Sequence, residues 1–189
     1  FLSHSNSKTI NLKILSNYNF LTLKPIIYVC NVDESSIVDG NNLSNTVVNY
    51  AKNKNSKSII ISAQIESEIS TIEDLNEKNQ FLEALGLKET SLSSLIKQGY
   101  SLLQLITFFT SGPKESRAWS IKKGSLAPDA GAKIHTDFKK GFIRAEVISY
   151  ADFINYKGES NCKEKGKLRL EGKDYKISDG DVVTFRFNV

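Results

Sequence analysis

Two short uninterrupted apolar runs constrain this chain more than any other feature: Ile26-Ile27-Tyr28-Val29-Cys30, bounded by Pro25 and Asn31, and Ser58-Ile59-Ile60-Ile61-Ser62-Ala63. A run of apolar residues without alternation is the pattern of a strand buried on both faces, which is the situation of strands in parallel sheets. Between the two runs lies a polar loop containing Gly40. It is followed by Leu43, Val47, Val48 and Ala51 at helical spacing, so a helix is predicted over Leu43–Lys52, ended by the polar stretch 53–57. Strand, helix and strand in this order make a βαβ unit, and the right-handed crossover lays both strands parallel in one sheet. A two-stranded unit of this kind is not stable alone, so it must belong to something larger.

From Glu66 to Phe109 the apolar residues recur at threes and fours, among them Ile72, Leu75, Phe81, Leu82, Leu85, Leu95, Leu102 and Leu105, which predicts helices. Gly86 and Gly99 are expected breaks, and Thr90 or Ser91 an N-cap. Past Thr110, β-rich runs occur at Arg117–Ile121, Phe142–Ser149, Lys167–Leu170, Tyr175–Ile177 and Val182–Phe187. They are separated by turn signals such as Gly112-Pro113, Glu171-Gly172 and Asp179-Gly180. With a short helix near Ile134–Lys139, these make an α+β module compatible with a β-grasp arrangement. The fold class expected is therefore α/β plus α+β.

A net charge of +4 and a pI near 8.9 permit an RNA or ribosomal partner without demanding one. Cys30 and Cys162 are far apart and have no CxxC or His-rich company, which argues against a disulfide framework or a zinc site and fits a reducing, cytoplasmic setting. No run approaches the roughly 18 to 20 apolar residues of a membrane span, and Phe1–Asn11 is too polar for a secretory signal. The absence of any Met implies that the chain is not a whole product as translated.

Asn31-Val32-Asp33-Glu34 falls at the carboxyl end of the first predicted parallel strand, where open α/β sheets place their ligands. An Asn amide there can contact a purine ring, and an acidic residue three positions on can accept hydrogen bonds from ring substituents, as in the NKxD loop of GTPases. Val32 in place of Lys and Glu34 in place of Asp weaken the case for guanine. Taken alone, Asn and Asp after a strand most often form a turn. Ser62-Ala63 ends the second strand, where P-loop GTPases carry a short SA loop whose backbone supports the base. Strand, NxxE, helix, strand and SA together match the final third of a GTPase-like parallel sheet in the right order. No GxxxxGK[ST] phosphate loop occurs in the chain, so hydrolysis by this chain unaided is not expected.

Phe108-Phe109-Thr110-Ser111-Gly112-Pro113-Lys114-Glu115, Arg117-Ala118-Trp119, Ala127-Pro128, Ile134-His135-Thr136-Asp137-Phe138, Gly141–Val147, Gly166–Tyr175 and Phe185-Arg186-Phe187-Asn188-Val189 follow one another as in a known family. With Asn19–Pro25 and the NVDE loop, they make residues 17–189 resemble the carboxyl-terminal part of the YchF/Obg-like ATPases. The resemblance implies a P-loop GTPase-like nucleotide domain with an inserted helical domain, followed by a β-grasp TGS domain. It places a remnant of the helical or inserted region at 1–20, the end of the nucleotide domain with connecting helices at 21–105 and the TGS domain at 106–189. Phe1–His4 resembles the FLSH stretch that follows the family's second switch. The family prefers ATP to GTP, which implies base contacts from Asn31, Val32, Glu34, Ser62 and Ala63, with the Val32 backbone meeting the adenine amine. It implies Mg²⁺ held through an amino-terminal segment outside this chain, with no metal ligands here. The family also associates with ribosomes or RNA, with no membrane partner and no DNA specificity.

Arg117, Lys122, Lys123, Lys133, Lys139, Lys140 and Arg144 are the candidates for RNA contact, against the alternative of a solvated basic surface. His135 reads as a capping or core residue, Trp119 and Phe142 as core, and Cys30 as packing whose oxidation would disturb Asn31. Three functions remain open at this point: part of an ATPase, an RNA- or ribosome-binding module with no catalytic role, and a protein-binding scaffold.

Overall fold

The two apolar runs form adjacent parallel strands, β1 (Ile27–Asn31) and β2 (Lys57–Ile61), in register from Ile27 opposite Lys57 to Asn31 opposite Ile61. The structure is a computed structural model describing Leu15 and residues 17–188, so Phe1–His4 and most of the segment 1–20 lie outside the described residues. The chain divides after Leu102 into two compact units.

In the first unit the crossover helix α1 (Asn42–Asn53) packs against both strands. Its start is fixed by a reciprocal cap. Asn41 Oδ1 accepts from the Leu43 and Ser44 amides at 3.1 and 2.9 Å, and Ser44 Oγ accepts from the Asn41 amide at 2.8 Å. Gly40 enters this cap at φ +75°, and a Cβ there would lie 2.6 Å from Ser44 Oγ and 2.8 Å from Ile60 Cδ1, so only glycine fits the turn.

Three expectations for this unit are corrected. β1 is not buried on both faces: of its five residues only Cys30, which turns toward α1, is buried, and Val29, on the opposite face by strand alternation, is 45% exposed. The second strand stops at Ile61, and Ser62-Ala63 belongs to the next element, with Ser62 the N-cap and Ala63 the first residue of α2 (Ala63–Thr71). Gly99 breaks nothing. It lies inside α4 (Ser91–Leu102), since one glycine costs a helix only about 1 kcal/mol.

With α3 (Leu75–Ala84), α2 closes a small apolar cluster of Ile37, Ile65, Ile69 and Leu82, backed by Phe81, Leu85 and Leu87. Thr90, rather than Ser91, caps α4, its hydroxyl accepting from the Ser93 amide at 3.1 Å.

The second unit is a five-stranded mixed sheet in the order β4-β3-β7-β5-β6: β3 (Leu105–Ser111), β4 (Ser116–Lys122), β5 (Phe142–Ser149), β6 (Arg169–Glu171) and β7 (Asp181–Phe187). The β3–β7 pair is parallel and the others antiparallel. The helical reading overran here, because Leu105–Phe109 pairs with β4 as a strand. Helices α5 (Ala127–Ile134) and α6 (Thr136–Lys140), separated by His135, cover one face of the sheet. The core beneath them contains Phe108, Ala145, Val147, Val183 and Phe185. Phe142 is 5% exposed in this core. Trp119 packs against it while its Nε1–H donates to Thr110 Oγ1 at 2.9 Å. His135 is the N-cap of α6.

Tyr175–Ile177 is not a strand, contributing only an isolated bridge between Lys176 and Leu126. The helices α7 (Tyr150–Asn155) and α8 (Glu159–Glu164) were not expected, being too short to display a helical period. The chain as a whole is a mixed α/β structure whose sheets contain parallel strands.

Candidate functional site

The crossover brings the carboxyl ends of β1 and β2 side by side, and there Asn31 meets the Ser62-Ala63 turn. Asn31 Oδ1 accepts a hydrogen bond from the Ala63 backbone amide at 2.9 Å, across 32 residues of sequence. One bond further along, the Val32 amide donates to the Ile61 carbonyl at 2.9 Å, extending the parallel ladder by one rung. Ser62 is wholly buried, and its Oγ has no hydrogen-bond partner among the described residues. Asn31 and Ala63 are themselves exposed, so the bridge between them faces solvent.

The turn Glu34–Ser36 follows as one 3₁₀ turn with Asp33 as its N-cap, and it leaves the Glu34 side chain exposed. A shallow groove of about 270 Å³ runs beside β1 and α1, bounded by Asn31, Val32, Asn41, Leu43, Ser44 and Val47 among others. The structure thus gathers Asn31, Val32, Ser62 and Ala63 at one strand-end locus, with Glu34 two residues beyond Val32. The reading of the sequence missed Asn41 and Ser44, although Asn-x-x-Ser ahead of an apolar helical period is itself a capping signal. Cys30 is buried with its Sγ facing the Ser44 carbonyl at 4.0 Å, turned toward α1.

Among the described residues no three His, Cys, Asp or Glu side chains are grouped as metal ligands. No helix of the described residues is long and apolar enough to cross a membrane.

The seven basic candidates do not form one patch. Ala145 and Phe185 face the core, so alternation along the strands puts their neighbours Arg144 and Arg186 on the opposite, open face of the sheet. Lys122 shares that face, because its neighbour Ile121 is buried in the core. Lys133, Lys139 and Lys140 lie on α5 and α6, which cover the other face.

Several of these charges are already engaged. Lys139 Nζ is 2.6 Å from Asp129, Arg144 is 3.4 Å from Glu146, and Arg117 lies 4.3 Å over the Trp119 ring and 3.9 Å from Glu115. Glu146 is gripped mainly by Arg186, at 2.9 and 3.1 Å, and that hydrogen bonding holds its carboxyl below the usual range. Lys122, Lys123, Lys133 and Lys140 are exposed. The sequence reading also missed an apolar groove of about 370 Å³ on the open face, between the β3–β4 hairpin and α7, lined by Phe109, Ala118, Tyr150, Phe153 and Ile154.

Comparison with known proteins places these features among similar chains. Residues 105–188 match the family model YchF-GTPase_C, described as a protein of unknown function (DUF933). The chain is 52% identical over 178 residues to a protein of Pasteurella multocida named "Ribosome-binding ATPase YchF", covering 94% of this chain and 48% of that protein. It is 49% identical over 179 residues to the protein of the same name from Bacillus subtilis, covering 94% and 49%. The chain spans about half the length of the curated relatives it matches. Among solved structures it resembles the YchF GTPase of Schizosaccharomyces pombe, with a TM-score of 0.83 and 29% identity over 98% of this chain and 49% of that one.

Proposed function

Because the chain belongs to the YchF family, we propose that it supplies the base-reading edge of a nucleotide site in a protein that binds and hydrolyses ATP in preference to GTP and associates with the ribosome or RNA. The observation that carries this reading is the Asn31–Ala63 bridge, which unites two loops distant in sequence at the carboxyl ends of neighbouring parallel strands. In this reading Asn31, Val32 and Glu34 face the purine, the Val32 carbonyl accepts from the adenine amine, and the Ser62-Ala63 turn braces Asn31.

The triphosphate and its Mg²⁺ are held by residues outside this chain, so the chain alone does not hydrolyse. Domain limits follow the same reading: a remnant of the inserted helical region at 1–20, the end of the nucleotide domain at 21–105, and a β-grasp TGS domain at 106–189. The protein works in the cytoplasm, without a membrane partner and without DNA specificity. The TGS domain contacts ribosomal or other RNA, with Lys122, Lys123, Lys133 and Lys140 the basic residues best exposed for it and Arg117, Lys139 and Arg144 available only in competition with their present partners.

Calorimetric titration with ATP and GTP of the complete gene product carrying this chain, and of the chain alone, tests the nucleotide reading. Tighter binding of ATP by the complete protein is expected, and no binding of either nucleotide would overturn it. Ribosome binding that did not weaken between low and moderate salt would remove the basic residues from the RNA-contact reading, because phosphate contacts release counterions.

A further inference from the structure

The sheet of the second unit has two unlike edges. β6 is three residues long, whereas β4 runs over seven, Ser116–Lys122, with β3 as its one strand neighbour among the described residues. Two backbone bonds fix which groups of β4 point outward. The Gly112 amide donates to the Glu115 carbonyl at 2.9 Å and the Lys123 amide to the Gln104 carbonyl at 2.7 Å, just past either end of the continuous β3–β4 register. Bonded and non-bonded pairs alternate along an antiparallel ladder. Arg117, Trp119 and Ile121 therefore turn their backbone groups to β3, while Ser116, Ala118 and Lys122 turn theirs away. The Lys122 carbonyl is taken, by the Ser125 amide at 3.1 Å and the Ser125 hydroxyl at 2.7 Å. No other backbone group among the described residues bonds to the outward groups of Ser116 or Ala118.

That open stretch borders the apolar groove of about 370 Å³. Phe109, Phe153, Ile154 and Val182 line the groove, and Ala118, small and exposed, is the sill between it and the strand edge. The hydroxyls at its mouth are engaged. Ser111 and Ser116 Oγ lie 3.2 Å apart, and Thr110 Oγ1 accepts from Trp119 Nε1. The groove thus offers apolar contact with little polar readout, which suits an aliphatic or aromatic side chain better than the edge of a nucleobase. The surrounding charge is one-sided: between Gly112 and Ser125, Lys114, Arg117, Lys122 and Lys123 stand against the single acid Glu115.

We propose that β4 is a docking edge for an extended acidic segment of a partner protein, which adds to the sheet as a further strand and drops apolar side chains into the groove. The outward backbone groups supply main-chain hydrogen bonds and the groove supplies selectivity. Alternation along the added strand puts its apolar side chains on the groove side and its acidic ones on the other, toward the Arg117 side chain. None of these residues belongs to the proposed nucleotide site.

The test is fluorescence polarisation of a fluorescein-labelled seven-residue peptide, in which glutamate alternates with phenylalanine and valine, titrated with the complete gene product. Saturable binding that weakens with salt is expected. A version with lysine in place of glutamate should bind at least about tenfold more weakly. Ala118→Pro should weaken the acidic peptide by about five- to tenfold, the equivalent of one hydrogen bond. Proline is tolerated there because the Ala118 N–H points out of an edge strand. Ala118→Ser keeps the donor and should bind like the wild type. Ile154→Glu puts a like charge on an exposed wall of the groove and should lower affinity at least about tenfold.

Trp119 fluorescence reports whether each variant is folded, and Ser116→Pro, at the first residue of β4, replaces Ala118→Pro if the latter is not. No binding of the acidic peptide by the wild type, equal binding of the lysine version, or unchanged affinity in the proline variant or in Ile154→Glu would overturn the proposal. A labelled ten-nucleotide oligouridylate that bound more tightly than the acidic peptide, and lost the same affinity on Ile154→Glu, would overturn it in favour of an RNA site.

Discussion

Replacing Ser62 by Ala should stabilise the protein, whereas the same change at an ordinary helix N-cap weakens it. A capping serine normally accepts from an amide of the first turn, and its loss costs about 1 kcal/mol. Ser62 occupies the N-cap position of α2 but caps nothing, and its hydroxyl is buried without a partner among the described residues. A buried hydroxyl left unpaired costs about 1–3 kcal/mol. Against this stands the small void that alanine leaves, roughly one oxygen atom of ~10 Å³, which at about 24 cal/mol per Å³ costs only ~0.2 kcal/mol. The expected balance is a gain of about 1–2 kcal/mol.

Urea unfolding followed by far-UV circular dichroism measures this gain, and amide exchange of residues 64–71 localises it to α2. The single tryptophan, Trp119, lies in the second unit and reports that unit separately by fluorescence. A loss of about 1 kcal/mol or more would refute the reasoning, because it would mean that the hydroxyl is hydrogen-bonded in solution.

Phe108 is fully buried, with its ring edge-on to Phe185 at 6.0 Å, so Phe108→Ala should cost the second unit about 3–5 kcal/mol, read from the Trp119 unfolding curve. A Cβ on Gly141 would meet the Asn188 carbonyl oxygen at 1.8 Å, so Gly141→Ala should cost about 1–3 kcal/mol by thermal unfolding. Gly172→Ala, with open space around it, should stay within about 0.5 kcal/mol as its control. Glu146 is depressed in the folded state, chiefly by its hydrogen bonds to Arg186. Its contribution to stability is therefore whole above the unfolded carboxylate value and drains away as pH falls through the lower folded one. Acid titration of stability should show a shallower decline in Glu146→Gln than in the wild type over that window.

The parts of the fold legible in the sequence were those set by local pattern and chain chirality. Continuous apolar runs and the helical spacing of Leu43, Val47 and Ala51 gave the βαβ unit, and the right-handed crossover then required Asn31 and Ser62-Ala63 to be neighbours, as they are. Where one pattern serves two structures, the reading slipped. Leu105–Phe109 is as apolar as a buried helix turn, and only its pairing with β4 makes it a strand. The exposure of Val29 depends on what packs over the face of β1 opposite α1, which no local pattern encodes. The quenching of basic candidates was hidden for the same reason. Asp129, on one helix, reaches the candidate Lys139 on the next only through the packing of the two helices. The unpartnered Ser62 hydroxyl follows from tertiary packing as well.

The account is tested most directly by following the amide and carboxamide NMR signals of isotopically labelled complete gene product during titration with ATP and Mg²⁺. The largest shifts are expected at Val32, Ala63 and the Asn31 side-chain NH₂, saturating together with a single affinity. Saturation by ATP that left all three unmoved, while signals elsewhere shifted, would contradict it.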